Sequence, residues 1–296
     1  IKIAITTWNL AESTPRVADC EFIQQFQDQD IVVLGVQECE DLRPRANEGR
    51  RSLAWSVLQR YSLGPEFVRL KKLRMGGIQM SVFAKKNFSK EVQDVKGMCV
   101  PCGIGNIMVN KGAVCAMITV RNTSIGLVNV HLAAHEHALQ RRNADYLRIK
   151  DKIASTAENY WNRMSANPSD KRSTNRHRKL PPVPKKAVSK NTWPFDATFF
   201  FGDLNYRVQY PVGRKVYKIY LEVIDSTSGV KQRVISELLK YDQLSREMKQ
   251  PRGNVLKDFK EMPISFLPTY KYDKRVNKFD SSGKKRKPSY TDRVLF

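Results

Sequence analysis

Long apolar runs are missing from this 296-residue sequence. The longest, such as residues 31–36, fall far short of the roughly 18 residues that a membrane-spanning helix needs. The first residues also lack the charged and then apolar pattern of a secretory signal. We therefore expect no membrane span, while the 41% hydrophobic content is enough to bury a sizeable core.

Cysteine is scarce and odd in number, with five residues that lie mostly in apolar contexts. Such a set argues against a disulfide framework and favours a reducing compartment. Cys99 and Cys102 have half of the spacing of a zinc site, but no second Cys or His pair lies at a matching distance. Buried thiols are the favoured interpretation, and a structural zinc site is not expected.

Acidic residues are few relative to basic ones, since 52 Lys and Arg face 29 Asp and Glu, for a net charge of +23. This excess predicts an anionic partner: nucleic acid, a phosphorylated small molecule or an acidic membrane leaflet. Part of the excess is local, because residues 171–190 have eight Lys or Arg and no acid. Together with three prolines, they indicate a basic insertion over residues 165–192, with a membrane- or nucleic-acid-binding arm as the less favoured alternative.

Apolar strand patterns alternate with helical ones along the chain, which predicts an α/β fold. One strand, residues 198–201, stops at Gly202 and is followed by Asp203, Asn205 and Arg207. Because residues i and i+2 of a strand share a face, Asp203 and Asn205 are expected to point the same way. A strand end closed by a simple Asx turn is the structural alternative, and these residues alone leave it open.

Other predicted strands also end in polar residues, and strands of a packed sheet can present their ends at a common edge. The polar residues at these strand ends are Asn9, Glu38, His131 and Asp292. One glutamate and one asparagine make an oxygen donor set that suits Mg²⁺, which keeps several waters. Taken singly, these residues could be a turn, a solvated strand end or a core histidine; together they predict a site.

Hydrolysis of a phosphate ester needs a positioned water, a proton acceptor and positive charge around the phosphoryl oxygens. Asp203 can accept the proton, and Asn205 and His131 can donate hydrogen bonds to the phosphoryl group. A Mg²⁺ ion on Glu38 would offset the developing charge. The residues therefore favour a metal-dependent phosphoesterase.

Eight short motifs occur in order along nearly the whole chain: Thr7-Trp8-Asn9, Gln37-Glu38, Asn110-Lys111-Gly112, Asn129 to His135, Arg141 to Tyr146, Gly202 to Arg207, Pro268 to Asp273 and Pro288 to Arg293. In this order the chain closely resembles the inositol polyphosphate 5-phosphatase catalytic domain. The motifs Gly202 to Arg207 and Pro268 to Asp273 are the most specific. Trp-Asn and Gln-Glu are shared with the wider DNase I-like superfamily.

The resemblance implies a four-layer sandwich in which helices flank two mostly antiparallel or mixed β-sheets. It also implies Mg²⁺ dependence and removal of the 5-phosphate from phosphoinositides or soluble inositol polyphosphates, without a covalent intermediate. We expect residues 1–296 to form a single catalytic domain, truncated at both ends. A monomer in the cytoplasm is expected, peripheral at anionic membrane surfaces and without a nucleic-acid partner.

Matched residue by residue, the resemblance implies the following roles. Glu38 and Asn9 would bind the metal, His131 would contact phosphate, Asp203 and Asn205 would activate water and hold phosphate, and Asp292 would pair with a catalytic histidine. The implied substrate contacts are Lys111, His135, Asn143 and Arg207, with Tyr270, Lys271, Lys284 and Arg286 around a 4-phosphate. The loop at 70–77, with Leu73 and Met75, would lie toward the lipid chains.

The chain departs from the family pattern in two places. Tyr290-Thr291 stands where the family usually has Trp-Cys. The Ser-Asp-His that supplies the catalytic histidine is expected beyond Phe296, and we favour truncation over a catalytically silent protein. The alternatives are therefore a phosphoinositide-binding module without turnover and a nuclease of the same superfamily, which the Pro268 to Asp273 motif disfavours.

Overall fold

The structure is a computed structural model, and it describes residues 1–40, 48–166, 192–210, 228–250 and 255–296. The basic insertion predicted at residues 165–192 lies almost wholly outside these ranges. Within the described ranges, no helix combines the length and the apolar character that crossing a bilayer requires.

The described elements follow one another in an alternating order. They are β1 (Ile3–Asn9), a 3-10 helix (Ala18–Phe26), β2 (Ile31–Gln37), α1 (Arg50–Leu63), β3 (Phe67–Met75), β4 (Ile78–Lys85), β5 (Val92–Pro101), β6 (Gly112–Val120), β7 (Thr123–His131), α2 (Leu139–Ala166), β8 (Ala197–Asp203), α3 (Ser228–Leu239), α4 (Gln243–Lys249) and β9 (Asp292–Leu295).

These strands form two mixed sheets. The first has the order β1-β2-β4-β3, and only its β1-β2 pair is parallel. The second has the order β5-β6-β7-β8-β9, and only its β7-β8 pair is parallel. Each parallel pair brings two strand ends to the same edge of its sheet.

Apolar side chains fill the space between the sheets, where Val33 and Val82 of the first sheet meet Val114 and Leu127 of the second. The outer face of the first sheet is covered by the 3-10 helix and α1, and that of the second by α2. Helix, sheet, sheet and helix make four layers. The predicted fold class is therefore confirmed.

A polar link joins the sheets inside this core. The buried side chain of Gln37, at the end of β2, donates to Asn129 Oδ1 of β7 at 2.7 Å. Asn129 in turn donates to the carbonyl oxygen of Gln79 in β4 at 2.9 Å. Buried polar networks whose members are hydrogen-bonded rigidify the surfaces that they join, so this link aligns the two sheets.

Three expectations from the sequence differ from the structure. Strand β5 was not predicted, because this edge strand contains Gly97 and lacks a clear alternation. The spacing of Val234, Leu238 and Tyr241 predicts one helix over residues 230–248. The structure has two helices there, since Asp242 caps the second one by accepting from Ser245 N at 2.8 Å. Met75 is buried in the core between the sheets and Leu73 packs against it, so the expectation that they face lipid chains is wrong.

Candidate active site

The register of the second sheet sets three polar residues side by side. His131 of β7 pairs with Asp203 of β8, and Asp203 pairs with Asp292 of β9. Asn9 at the end of β1 reaches across from the first sheet and donates from Nδ2 to Asp203 Oδ2 at 3.0 Å. Both sheets therefore contribute to one edge of the molecule.

Gly202 explains how the chain reaches this edge. Its φ is +134°, and a Cβ at this position would lie 2.2 Å from the carbonyl oxygen of Val130. Only glycine fits such a close approach to the neighbouring strand. The glycine thus allows β8 to stay paired up to Asp203.

Asp203 is buried, with its two carboxylate oxygens in different surroundings. Oδ1 accepts from Asn205 N at 3.1 Å, which is the Asx turn that the sequence left open, while Oδ2 faces Asn9 and lies 3.5 Å from His131 Nε2. Burial raises the pKa of Asp203, and the Asn9 hydrogen bond and the charges of Arg207 and Lys111 oppose this rise. The carboxylate is positioned to accept a proton.

Asn205 departs from the expected strand geometry. Its φ is +57°, so the chain has left the strand and the two-residue repeat no longer applies. Its Nδ2 donates to the carbonyl oxygen of Leu132 at 3.0 Å, and its Oδ1 accepts from Arg207. Asn205 still lines the cavity, where its amide positions Arg207.

His131 is neutral in this arrangement. Lys111 Nζ lies 2.9 Å from His131 Nε2, and an ammonium can only donate, so Nε2 accepts and carries no proton. Burial and the Lys111 charge both lower the pKa of His131. Burial also lowers the pKa of Lys111, and the carboxylates of Asp203 and Glu38 oppose that change.

Glu38 follows β2 in a left-handed conformation, with φ at +48°. Its Oε1 lies 3.9 Å from His131 Nε2, and 43% of its side chain is exposed. It is therefore the carboxylate of this edge that faces open space. A ligand in the cavity can reach it without displacing the core.

Asp292 has an unused oxygen. Its Oδ2 accepts from the Thr291 hydroxyl at 2.9 Å, while its buried Oδ1 has no hydrogen-bond partner among the described residues. Burial raises the pKa of Asp292 toward neutrality, and the nearby charge of Asp203 adds to the effect. A buried acceptor without a donor indicates a group that is still to be supplied.

These strand ends lie in a cavity of about 690 Å³. Residues 7–16 form one wall, and residues 269–275 form the other. The predicted site residues that line the cavity are Asn9, Glu38, Lys111, His131, Asp203, Asn205, Arg207, Tyr270, Lys271 and Asp292. His135, Asn143, Lys284 and Arg286 are not part of the lining.

Two of these four residues serve the framework instead. Asn143 is buried, where it donates to Glu247 at 2.8 Å and accepts from the Tyr206 hydroxyl at 2.8 Å. His135 stacks on His137, and its carbonyl oxygen accepts from Arg142 at 2.6 Å. A direct substrate contact by Asn143 or His135 stays a prediction from the resemblance.

The other two lie on the basic hairpin. Arg286 pairs with the buried Asp280 at 3.3 Å, and Lys284 is exposed. The backbone N–H groups of Ser282 and Arg286 also donate to Asp280, which fixes the path of the hairpin. Contact of Lys284 and Arg286 with a 4-phosphate therefore stays a prediction too.

Lys271 and Tyr270 are better placed to contact a substrate, because both line the cavity. The Tyr270 ring lies under the Arg207 guanidinium, with 4.0 Å between that group and the ring centre. The sequence reasoning missed Lys274, which lies beside them in the lining. Its Nζ donates to the carbonyl oxygen of Ala11 at 3.0 Å, so it connects the two walls. Nothing in the sequence distinguishes Lys274 from the other lysines of the hairpin.

The donor set fits the metal that the resemblance implies. No group of three or more His, Cys, Asp and Glu with metal-binding geometry occurs in the described residues, which disfavours an all-protein metal cage there. Mg²⁺ commonly takes only one or two carboxylates and fills its other positions with water and substrate oxygens. The exposed carboxylate of Glu38 and the amide oxygen of Asn9 suit that chemistry.

A family model described as Endonuclease/Exonuclease/phosphatase family 2 matches residues 6–296. The chain belongs to this family. Among its relatives in the family, phosphatidylinositol polyphosphate 5-phosphatase type IV of Rattus norvegicus is 30% identical over 298 residues, which cover 99% of this chain and 40% of the rat protein. Type I inositol polyphosphate 5-phosphatase 13 of Arabidopsis thaliana is 29% identical, over 100% of this chain and 27% of the plant protein. The chain thus spans well under half of these relatives.

Solved structures show the same fold. The inositol polyphosphate 5-phosphatase domain of SpSynaptojanin, in complex with inositol (1,4)-bisphosphate and calcium ion, superposes with a TM-score of 0.67 at 24% identity, over 100% of this chain and 75% of that one. A Cimex nitrophorin in a ferrous NO complex superposes with a TM-score of 0.62 at 17% identity, over 99% and 85%. Because these two proteins are named for different chemistry, the fold alone does not decide function. The resemblance to the 5-phosphatase catalytic domain is confirmed by the motifs and relatives together.

Proposed function

We propose that this domain is a Mg²⁺-dependent phosphomonoesterase that removes the 5-phosphate from phosphoinositides or soluble inositol polyphosphates. The observation that carries the proposal is the meeting of Asn9, Glu38, His131, Asp203 and Asp292 in one cavity. These residues come from five strand ends in two sheets. The relatives of this chain are named as enzymes of this class.

Asp203 acts as the base in this proposal. A water in line with the scissile P–O bond gives its proton to the carboxylate while its oxygen bonds to phosphorus. Burial raises the pKa of Asp203, which makes the carboxylate a stronger acceptor than an exposed one. The bond from phosphorus to the inositol oxygen breaks, the leaving oxygen takes a proton from solvent to become a hydroxyl, and Asp203 returns its proton to solvent.

Cationic side chains hold the phosphoryl group. Lys111 and Arg207 line the cavity beside Asp203, and a guanidinium suits bidentate binding of phosphate. The His131–Lys111 contact keeps Lys111 aimed at this point. When bound, Mg²⁺ on Glu38 and Asn9 would neutralise charge on the phosphoryl oxygens.

Asp292 completes the proposed site. Its unpaired Oδ1 suits a histidine N–H, which is the partner that the resemblance implies from a Ser-Asp-His motif. A protein that lacks such a histidine would be the binding module without turnover. Phosphoinositides at cytoplasmic membrane surfaces are the substrates that fit the basic lining best, and no nucleic-acid partner is proposed.

The test is Asp203→Asn in the complete protein that carries this chain. The change keeps the side-chain shape and removes the base. We expect Mg²⁺-dependent phosphate release from phosphatidylinositol 4,5-bisphosphate micelles to fall at least about a thousandfold in kcat. Binding of inositol 1,4,5-trisphosphate by the variant should persist.

Asp28→Asn is the matched control, since Asp28 is an exposed aspartate outside the cavity lining. Its activity should equal that of the wild type. Full activity in Asp203→Asn would show that another residue accepts the proton. Wild-type binding of the trisphosphate without any turnover would favour the silent module, and cleavage of plain or abasic DNA would favour the nuclease.

A further inference from the structure

Helix α1 distributes its residues in an unusual way. The side that packs on the first sheet buries Ser52, Ser56, Gln59 and Ser62 next to Trp55. The opposite side exposes Leu53, Val57 and Tyr61, which are 53%, 58% and 69% exposed. Since these three are four residues apart, they form one stripe along the helix.

The stripe continues into a shallow groove. Val17 is 52% exposed, and it lines a groove of about 510 Å³ with Leu53, Ala54, Val57 and Leu58. An apolar surface of this kind, contiguous and without a partner in the described structure, is typical of an interaction site. We call Val17, Leu53, Val57 and Tyr61 the α1 stripe.

Helix α1 carries positive charge only, while on the adjoining 3-10 helix Asp19 pairs with Arg16 at 3.0 Å and Glu21 is exposed. Helix α1 contains no acidic residue, and Arg50 and Arg60 are exposed at its two ends. Apolar and aromatic side chains flanked by arginine are the composition of helices that lie in the interface of an anionic bilayer. A positively charged border also disfavours a basic partner surface such as a second copy of this chain, whose net charge is +23.

The α1 stripe also adjoins the catalytic cavity. Pro15 and Arg16 line both the groove and the cavity, so the two openings meet along residues 15 and 16. A surface that contacts a bilayer at this position would bring the cavity next to the lipid head groups.

We propose that the α1 stripe docks the domain on anionic lipid bilayers and presents the cavity to lipid substrates. Leu53, Val57 and Tyr61 enter the boundary between head groups and acyl chains, while Arg50 and Arg60 contact the anionic head groups. The expected gain in turnover of lipid substrates rests on the proposed function. The docking itself needs no catalysis.

The test uses sedimentation with vesicles of phosphatidylcholine and phosphatidylserine that contain no phosphoinositide. Leu53→Gln with Val57→Gln, in the complete protein, should weaken vesicle binding about tenfold. Arg50→Gln with Arg60→Gln should weaken it more than about tenfold, and only while the vesicles contain phosphatidylserine. The first pair should also slow hydrolysis of phosphatidylinositol 4,5-bisphosphate in vesicles and leave hydrolysis of soluble inositol 1,4,5-trisphosphate unchanged.

Leu147→Gln is the matched control. Leu147 is a leucine of α2, on the opposite outer layer, and it is 44% exposed. This variant should bind vesicles like the wild type. Thermal unfolding of each variant checks that the helix still folds.

Unchanged vesicle binding by both double variants would overturn the proposal. So would a wild-type dimer that Leu53→Gln with Val57→Gln dissociates, because the occupant would then be a second copy. The loss of vesicle binding in a protein that hydrolyses no inositol phosphate would support the docking surface and contradict the proposed function. The two conclusions can therefore fail separately.

Discussion

The floor and the rim of the candidate active-site cavity are built in different ways. The floor consists of Asn9, Glu38, His131, Asp203 and Asp292; strand pairing sets the position of four of them, and Glu38 directly follows the paired strand β2. The rim consists of residues 10–16 and 269–275, which meet through the Lys274 contact with the carbonyl oxygen of Ala11 at 3.0 Å. The floor is therefore fixed by the core, while the rim depends on a few polar contacts in loops.

This difference separates chemistry from selectivity. Proton transfer needs atoms held within a fraction of an ångström, and paired strands supply that precision. Recognition of further phosphate groups tolerates side chains that adjust, and lysines on loops suit that task. Changes to the floor should lower turnover for every substrate, and changes to the rim should alter the preference among substrates.

The largest expected effect is on the support of the floor. Arg293 is fully buried next to Asp292, with Asp242 at 2.9 Å and Glu261 as its partners. Asp242→Asn leaves this guanidinium with one charged partner, so we expect the free energy of unfolding to fall by about 3 kcal/mol. Urea denaturation measures it.

Glu91→Gln is the matched control, because Glu91 pairs with Arg121 at 3.0 Å on the surface. Its effect should stay below about 1 kcal/mol. Equal losses in both variants would mean that strand β9 is not held by this buried cluster.

Next comes a residue of the floor itself. His131→Gln replaces the fixed ring acceptor of Lys111 Nζ with a flexible amide, so the ammonium is no longer held at its place in the cavity. We expect kcat to fall about a hundredfold for lipid and soluble substrates alike, since one positioned donor contributes that much. Steady-state kinetics at saturating substrate measures it.

His137→Gln is its control, because His137 is exposed and outside the cavity lining. It should keep wild-type kcat. A selective loss for one substrate in His131→Gln would place this histidine in recognition and blur the division between floor and rim.

A smaller effect is expected at the rim. Lys271→Ala should lower kcat/KM about tenfold for substrates with a 4-phosphate and far less for those without one, because an ammonium in the cavity is lost. Lys284→Ala should lower it about twofold or less, since that exposed lysine lies outside the lining. Parallel assays on inositol phosphates with and without the 4-phosphate measure both.

A tenfold loss in Lys284→Ala as well would show that the hairpin closes over the bound substrate. Equal losses by Lys271→Ala on both substrate classes would remove its role in selectivity. Either result would change which residues are assigned to substrate recognition at the rim.

The smallest effect concerns the path of the hairpin and depends on pH. Hydrogen bonds from Ser282, backbone bonds and the Arg286 guanidinium hold the pKa of Asp280 below its usual range. A depressed folded-state pKa contributes stability above the ordinary value of about 4, which is lost as pH falls through the folded-state pKa. We expect Asp280→Asn to be less stable than the wild type at pH 7 and the difference to narrow progressively below about pH 4.

Urea midpoints across this pH range measure the difference, with Asp28→Asn as an exposed control that should track the wild type throughout. A constant difference between Asp280→Asn and the wild type at every pH would show that the carboxylate's charge does not hold the hairpin.

The sequence predicted the floor well because strand ends are readable. Four apolar runs stop at a polar residue and the last one starts at Asp292, and the parallel pairing of β7 and β8 places His131 opposite Asp203. The four-layer fold followed from the motifs. The orientation of the Asn205 side chain was less predictable. The chain turns directly after Asp203, so the alternation of side chains along a strand no longer applies at Asn205.

The rim was harder to predict for a physical reason. Lys274 and Lys284 look alike in the sequence, and only the path of the chain decides which of them lines the cavity. The path of the chain depends on backbone N–H groups that donate to Asp280. No periodic pattern in the sequence predicts these hydrogen bonds. The core hydrogen bonds of Asn143 to Glu247 and Tyr206 were not predictable either, because its motif implies a substrate contact and no pattern in the sequence indicates these partners.

The hydrogen bond from Gln37 to Asn129 has a consequence for how this protein loses activity. Asn9 lies in one sheet and Asp203 in the other. A shift of one sheet against the other by one residue, about 3.3 Å, would therefore break the hydrogen bond between the two side chains. On gentle heating, turnover should therefore disappear while far-ultraviolet circular dichroism still reports intact strands. Catalytic activity would then report the alignment of the two sheets.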